Sequence, residues 1–312
     1  MKHLKFGPYE ITALVLIILA ISLRILLAAQ GWPRTNSDED TIGLMALHIA
    51  YRGEHPIFYY GQNYMGALEA YIGAVLFQLF GVSVFTLRLG LILLFAFFLI
   101  STYLLTSLLY TKKLALLTLA LLSLGSSIVL IRELTAIGGY PETLLFGSLA
   151  FLLATWLALS SSPHAQNLFL RRWQRLLAFS AWGLVIGLGL WSDFLILAFV
   201  LMSGLLLVLF CWRELRKWAG LFLLLGLIIG AFPLIIYNLH AQSGQDSLSI
   251  LWRLQHNVGA GAANSNQISL LHQIQGTIQV SLPTATSNPF CSITELPFLG
   301  PTSPNTPTCS IV

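Results

Sequence analysis

Tyr64-Met65-Gly66-Ala67-Leu68-Glu69-Ala70-Tyr71-Ile72-Gly73-Ala74-Val75-Leu76-Phe77-Gln78-Leu79-Phe80 is the stretch on which the fold turns. It is apolar enough to enter a membrane, yet it carries Glu69 and Gln78, and Gly66 and Gly73 loosen it. A carboxylate at mid-bilayer costs about 2.5–3.5 kcal/mol on insertion scales. If this stretch spans, every later loop changes sides.

The rest of the chain sets that question in a membrane. Of its 312 residues, 56% are hydrophobic and only 9% charged, and mean hydropathy is +0.80. Apolar runs of near-spanning length recur at Ile11–Ala29, Val84–Leu109, Leu114–Ile131, Thr143–Leu159, Leu176–Leu190, Phe194–Cys211 and Ala219–Tyr237. This pattern predicts an all-α polytopic membrane protein with about seven transmembrane helices. The first run is read as a retained helix, because no small-residue cleavage site follows it.

Lysine and arginine decide the doubtful stretch. With Tyr64–Phe80 not spanning, one side holds Lys2, Lys5, Lys112, Lys113, Arg171, Arg172, Arg175, Arg213, Arg216 and Lys217. The other holds Arg34, Arg52, Arg88, Arg132 and Arg253, and Arg24 lies inside a helix. A spanning Tyr64–Phe80 reverses this imbalance, so the positive-inside rule makes it a juxtamembrane or re-entrant helix. Gln30–Ser83 is then one long external loop, and the N-terminus is cytoplasmic. The same parity puts every acid except Glu10 and Glu214 outside. The basic residues report topology. They form no patch interleaved with aromatics, which excludes nucleic acid as a partner.

Within the first loop, Ser37-Asp38-Glu39-Asp40 sets three acids together. They suit a helix start with Ser37 as N-cap, and they also suit a catalytic carboxylate at the mouth of a membrane cavity. Asp40–Arg52 reads as a short amphipathic helix on the membrane surface, stopped at Gly53. Next comes His55-Pro56-Ile57-Phe58-Tyr59-Tyr60-Gly61-Gln62-Asn63-Tyr64, whose tyrosines suit an interface. Gln62 and Asn63 offer neutral hydrogen-bonding groups for sugar hydroxyls, and Glu69 is grouped with them as a substrate-binding candidate.

In the second external loop, Gly138-Gly139 and Pro141 force a turn before Glu142. Glu142 is a helix-start residue or part of the site. Arg132 snorkels or holds an anionic head group. Asp193 reads as the cap of the following span, Phe194–Cys211, the alternative being a third wall of the same cavity. Residues 239–312 are polar and Pro-rich without a spanning segment. They divide the chain into a transmembrane module, 1–238, and an external tail, 239–312, and the abrupt ending suggests a fragment. Cys291 and Cys309 lie in that tail and could pair if it is external.

Ser37-Asp38-Glu39-Asp40, Gly53-Glu54-His55-Pro56 and Tyr60-Gly61-Gln62-Asn63-Tyr64-Met65-Gly66 together resemble the GT-C superfamily of integral-membrane glycosyltransferases. So do Leu87-Arg88-Leu89, Gly138–Glu142 and Gly187–Asp193. The likeness covers roughly residues 10–240 and is nearest the bacterial branch with a mannosyltransferase-like or lipopolysaccharide-core-transferase-like domain. It implies a polyprenyl-phosphate-linked sugar donor, a lipid, glycan or protein acceptor, and chemistry on the non-cytoplasmic face of the inner (plasma) membrane. It also implies Asp38 as base, or as the group orienting acceptor and metal, with Glu39 beside it and Glu142 assisting. Asp40 departs from the small residue usual there, and the relatives' C-terminal half is absent.

A lipid phosphate leaves readily, so the acceptor hydroxyl needs an in-line base, and the product is inverted. Arg52, His55, Arg88 or Arg132 would offset charge on the departing phosphate. Asp38 and Glu142 could hold Mg²⁺ or Mn²⁺. The rival readings are a transporter and a non-catalytic protein that binds a lipid carrier. The lack of an internal repeat speaks against an inverted-repeat transporter.

Overall fold

The computed structural model describes residues 7–161, 172–242 and 244–257, with isolated positions beyond. The protein is an all-α polytopic membrane protein, and 81% of the described residues are helical. Among the described residues, five helices are long and apolar enough to cross a membrane, or up to seven if two bent pairs each count as one span. The straight ones are α1 (Pro8–Ala29), α4 (Val84–Leu109), α7 (Tyr140–Ser160), α8 (Arg172–Ser192) and α9 (Leu197–Leu215), which a 3₁₀ turn at Phe194–Ile196 precedes.

Two expected straight spans are broken. Leu114–Ile131 is α5 (Lys112–Leu124) and α6 (Ser127–Leu134), bent by 79°. Gly125 breaks the helix at φ 54°, and the Ser126 hydroxyl starts the next one by accepting from the Val129 N–H. The orphaned carbonyls at the end of α5 would be costly in lipid. Arg24, fully buried inside α1, satisfies them: it donates to Ser123 O at 3.0 Å and Leu122 O at 3.4 Å. It also pairs with Glu133 of α6 at 2.6 Å and lies over the Phe95 ring. Ala219–Tyr237 is likewise α10 (Trp218–Gly230) and α11 (Phe232–His240), bent by 68°, with Pro233 in the first turn of α11. Proline is accommodated there because a first-turn N–H has no helical acceptor.

The juxtamembrane reading of the doubtful stretch agrees with the packing of its neighbours. Ala28 of α1 lies with Ile92 of α4, while Ala13 and Ile17 lie with Leu99 and Tyr103. The two helices therefore run antiparallel, and the chain between them returns to the side it left. The helix itself starts later than expected: Gln62–Gly66 is a strand, β2, paired antiparallel with β1 (Phe58–Tyr59), and α3 covers only Leu68–Phe80. Thirteen residues reach about 20 Å, short of a hydrocarbon core. α3 packs through Ala70, Ala74 and Phe77 against α2 (Ser37–Arg52) and α4, in one core with Ile42, Met45, Ala46, Leu87 and Leu91.

α8 and α10 touch backbone to backbone. A Cβ on Gly226 would stand 2.0 Å from Ser180 O, and one on Gly183 2.1 Å from Leu223 O. Gly187 and Gly230 repeat the approach one turn on. Small residues at this spacing are how helices associate in lipid, where no hydrophobic force separates them from the solvent. We expect Gly226→Leu to destabilise the protein by about 1–3 kcal/mol or more through overpacking, read as earlier thermal unfolding in detergent.

The tail expected after residue 238 begins differently: α11 runs through it to His240, and α12 occupies Ser247–Asn257. Cys291 and Cys309 lie outside the described residues.

Candidate functional site

The ends of the bundle have different chemistry. One end carries Glu10 with Lys112, and Arg175 with Glu214 at 2.7 Å. The other gathers α2, the hairpin, α3, the 135–139 loop and the start of the 3₁₀ turn, with the acids the sequence singles out.

Asn36, not Ser37, caps α2: its Oδ1 accepts from the Glu39 N–H at 2.9 Å. Helical rotation then splits the acid triplet, leaving Asp38 and Asp40 exposed and Glu39 buried at 1% exposure. Glu39 meets Arg88, itself 1% exposed, in a two-pronged pair of 2.9 and 2.7 Å. Arg88 also donates to Pro33 O, and Glu39 accepts from the Ala136 N–H. This corrects two expectations. Glu39 does not stand open beside Asp38, and Arg88 is spent on Glu39 and the 30–36 segment rather than presented to a phosphate. Asp38 accepts a long hydrogen bond, 3.4 Å, from the Tyr59 hydroxyl.

A second acid pair lies behind the hairpin. Glu69 and Glu142 are 4% and 1% exposed, and their carboxyl groups lie close enough to act on each other electrostatically. Glu69 also accepts from the Gly138 N–H at 3.2 Å. The expected turn at Gly138-Gly139 has a steric cause besides φ near +80°. A Cβ on Gly138 would strike Met65 Sδ at 2.2 Å, and one on Gly139 would strike Asp193 Oδ2 at 2.5 Å. Asp193 Oδ1 accepts from the Leu195 N–H at 2.8 Å, so Asp193 caps the next turn as expected. Its other oxygen brings a third carboxyl beside the loop.

Burial, and then the neighbouring Glu142, hold the Glu69 carboxyl well above its ordinary value of 4.5. The sign follows: a raised folded-state value favours folding at low pH. That advantage erodes as pH climbs from 4.5 towards the folded value. Glu69→Gln should flatten the loss of stability with rising pH, measured by thermal unfolding in detergent at acidic and alkaline pH. An unchanged pH profile would contradict this account.

The remaining candidates are spread out. Arg132 is half-buried, its guanidinium 5.1 Å from the Tyr140 ring centre. Arg52 and His55 are exposed around the end of α2. Gln62 and Asn63 are half-buried on β2, and the Asn63 carbonyl accepts from Ser247 at 2.7 Å.

Sequence reasoning chose His55 and passed over His48. Tyr60 donates to Glu54 at 2.5 Å and lies 3.0 Å from His48 Nδ1. The tyrosine's single proton goes to the carboxylate, which assigns the Nδ1 proton to His48. Burial and Glu54 push the Tyr60 hydroxyl up to about 12. The three residues meet only because the hairpin folds back on α2, which no helical spacing announces.

No family model, curated protein or solved structure matches the chain. Among the described residues, no three His, Cys, Asp or Glu side chains are grouped to hold a metal ion. Asp38 and Glu142, the expected ion ligands, stand in different surroundings, one exposed and one buried against Glu69. The arrangement presents two open carboxylates, Asp38 and Asp40, on a helix fixed by a buried ion pair, and Asp38 is the one beside the Tyr59 hydroxyl. It also ties the first loop to the second through Glu39–Ala136 and Glu69–Gly138.

Proposed function

We propose that the protein is a membrane glycosyltransferase. It moves a sugar from a polyprenyl-phosphate donor to a lipid, glycan or protein acceptor on the non-cytoplasmic face, with inversion and with Asp38 as base. The observation that carries this reading is the splitting of the acid triplet. Glu39 anchors the start of α2 through Arg88, and Asp38 is left open beside Tyr59. A carboxylate of that kind, on a rigid element at a membrane face, suits proton removal from a hydroxyl.

The orientation rests on charge. Lys112, Lys113, Arg213, Arg216 and Lys217 lie at the Glu10 end, which the positive-inside rule makes cytoplasmic. Arg132 and Arg52 remain the cations for the departing phosphate, since Arg88 is engaged. His55 is the third candidate. A divalent ion at Asp38 stays part of this proposal only with acceptor or donor oxygens completing its shell.

The test is reconstitution of the chain in vesicles with a radiolabelled polyprenyl-phosphate hexose and bacterial membranes as the source of acceptor. Chain-dependent movement of label to a new product, with the anomeric configuration inverted, is the expected result. Donor that binds but is never consumed would support the rival, a non-catalytic lipid-carrier-binding protein.

A further inference from the structure

The segment after the last span carries a surface of its own. The first turn of α12 is fastened to the β1–β2 hairpin and to α11. The Ser247 hydroxyl donates to Asn63 O of β2, and its N–H donates to Asn238 at 2.9 Å. Tyr237 donates to Gln245 O and meets Phe58 of β1 edge-on at 4.7 Å. Asp246 caps the helix by accepting from the Ser249 N–H.

Seated this way, α12 turns Leu248 and Trp252 outwards at 68% and 63% exposure. The two are four residues apart and share a face, one turn above the other. With Gly244, Ser249 and Arg253 they bound a shallow hollow of about 600 Å³. Two large apolar side chains facing water would forfeit about 25 cal/mol for each Å² of apolar area. The preceding helices also expose apolar side chains: Ile229, Phe232 and Leu239 are 65%, 56% and 76% exposed. α11, bent 68° from α10, carries the chain sideways from that span towards α12.

We propose that α12 is an interfacial membrane helix. Leu248 and Trp252 sit among the upper acyl chains of the bilayer, and Arg253 lies among the headgroup phosphates. Tryptophan suits that depth because its ring is apolar and its N–H polar. A cation beside an apolar pair complements anionic lipid. The helix thereby pins the Phe58–Gly66 hairpin to the membrane surface through Ser247 and Asn63. The proposal does not depend on sugar transfer.

The experiment uses the full chain with Cys211, Cys291 and Cys309 replaced by serine, in vesicles of phosphatidylethanolamine and phosphatidylglycerol. An environment-sensitive fluorophore is attached at Leu248→Cys or, as the control, at Gln245→Cys. At 248 we expect blue-shifted emission, strong quenching by nitroxide-labelled lipid, and several-fold weaker iodide quenching than at 245. Arg253→Glu should raise iodide access at 248 several-fold, and unchanged access would overturn the assignment of Arg253 to the headgroups. Full iodide access at 248 with no lipid quenching would overturn the proposal. So would shielding from both quenchers, which would mean that the chain's own residues cover this face.

Discussion

Asp38→Asn is expected to abolish sugar transfer while the protein accumulates and unfolds like the parent. A positioned general base contributes about 10²–10⁴-fold, and the amide has almost the same shape without the basic lone pair. The structural cost is small. Asp38 is exposed and its recorded partner is Tyr59, at 3.4 Å. Removing a first-turn carboxylate loses about 0.3–1 kcal/mol of helix-dipole stabilisation. Asp40→Asn loses the same contribution from the same turn, so it isolates the chemistry. Asp40→Asn should transfer at near-parental rates, and Tyr59→Phe should fall between the two. Transfer assays and thermal unfolding in detergent, run on all three, separate a lost base from a weakened helix. Survival of transfer in Asp38→Asn would remove Asp38 from the mechanism.

Arg88→Met is expected to cost the protein about 3–5 kcal/mol, because it leaves the Glu39 carboxylate buried without its partner. The guanidinium holds three groups at once: both Glu39 oxygens and the Pro33 carbonyl. Arg88→Lys should rescue little, since one ammonium cannot reproduce the fork. The double variant Arg88→Met with Glu39→Leu should recover much of the loss, because it removes the unpaired charge along with its partner. Thermal unfolding across this cycle measures the coupling. A single variant with unchanged stability would mean that the pair does not anchor α2.

The fold was legible where one dominant force acts. Hydropathy alone marks the straight spans, and Val84–Leu109 matches α4 residue for residue. Charge asymmetry alone keeps Tyr64–Phe80 out of the list of spans. The two bent spans escaped because hydropathy is blind to direction: Gly125 and Ala231-Phe232-Pro233 turn the chain within runs that stay apolar on average. Arg24 carried the missing clue. A guanidinium inside a span requires acceptors, and a broken neighbouring helix supplies them.

The site was legible only as a composition. The acid triplet drew attention, but which acid points inwards depends on the face of α2 that packs against α4. Glu39 is on that face, where Arg88 meets it. Glu69 and Glu142, singled out separately, meet because two glycines let the second loop slide between Met65 and Asp193. His48, Tyr60 and Glu54 depend on a hairpin that was not expected, and only the end of its second strand overlaps the expected Tyr64–Phe80 helix.

Everything proposed for the acid-rich end requires it to face away from the cytosol, and side-specific labelling measures that directly. Single cysteines at Arg34 and at Lys113, in the chain lacking Cys211, Cys291 and Cys309, would be treated in intact cells with a membrane-impermeant maleimide. The account predicts that position 34 is labelled at once and position 113 only after the membrane is opened. Labelling of 113 in intact cells, with 34 protected, would place the acids in the cytosol and contradict it.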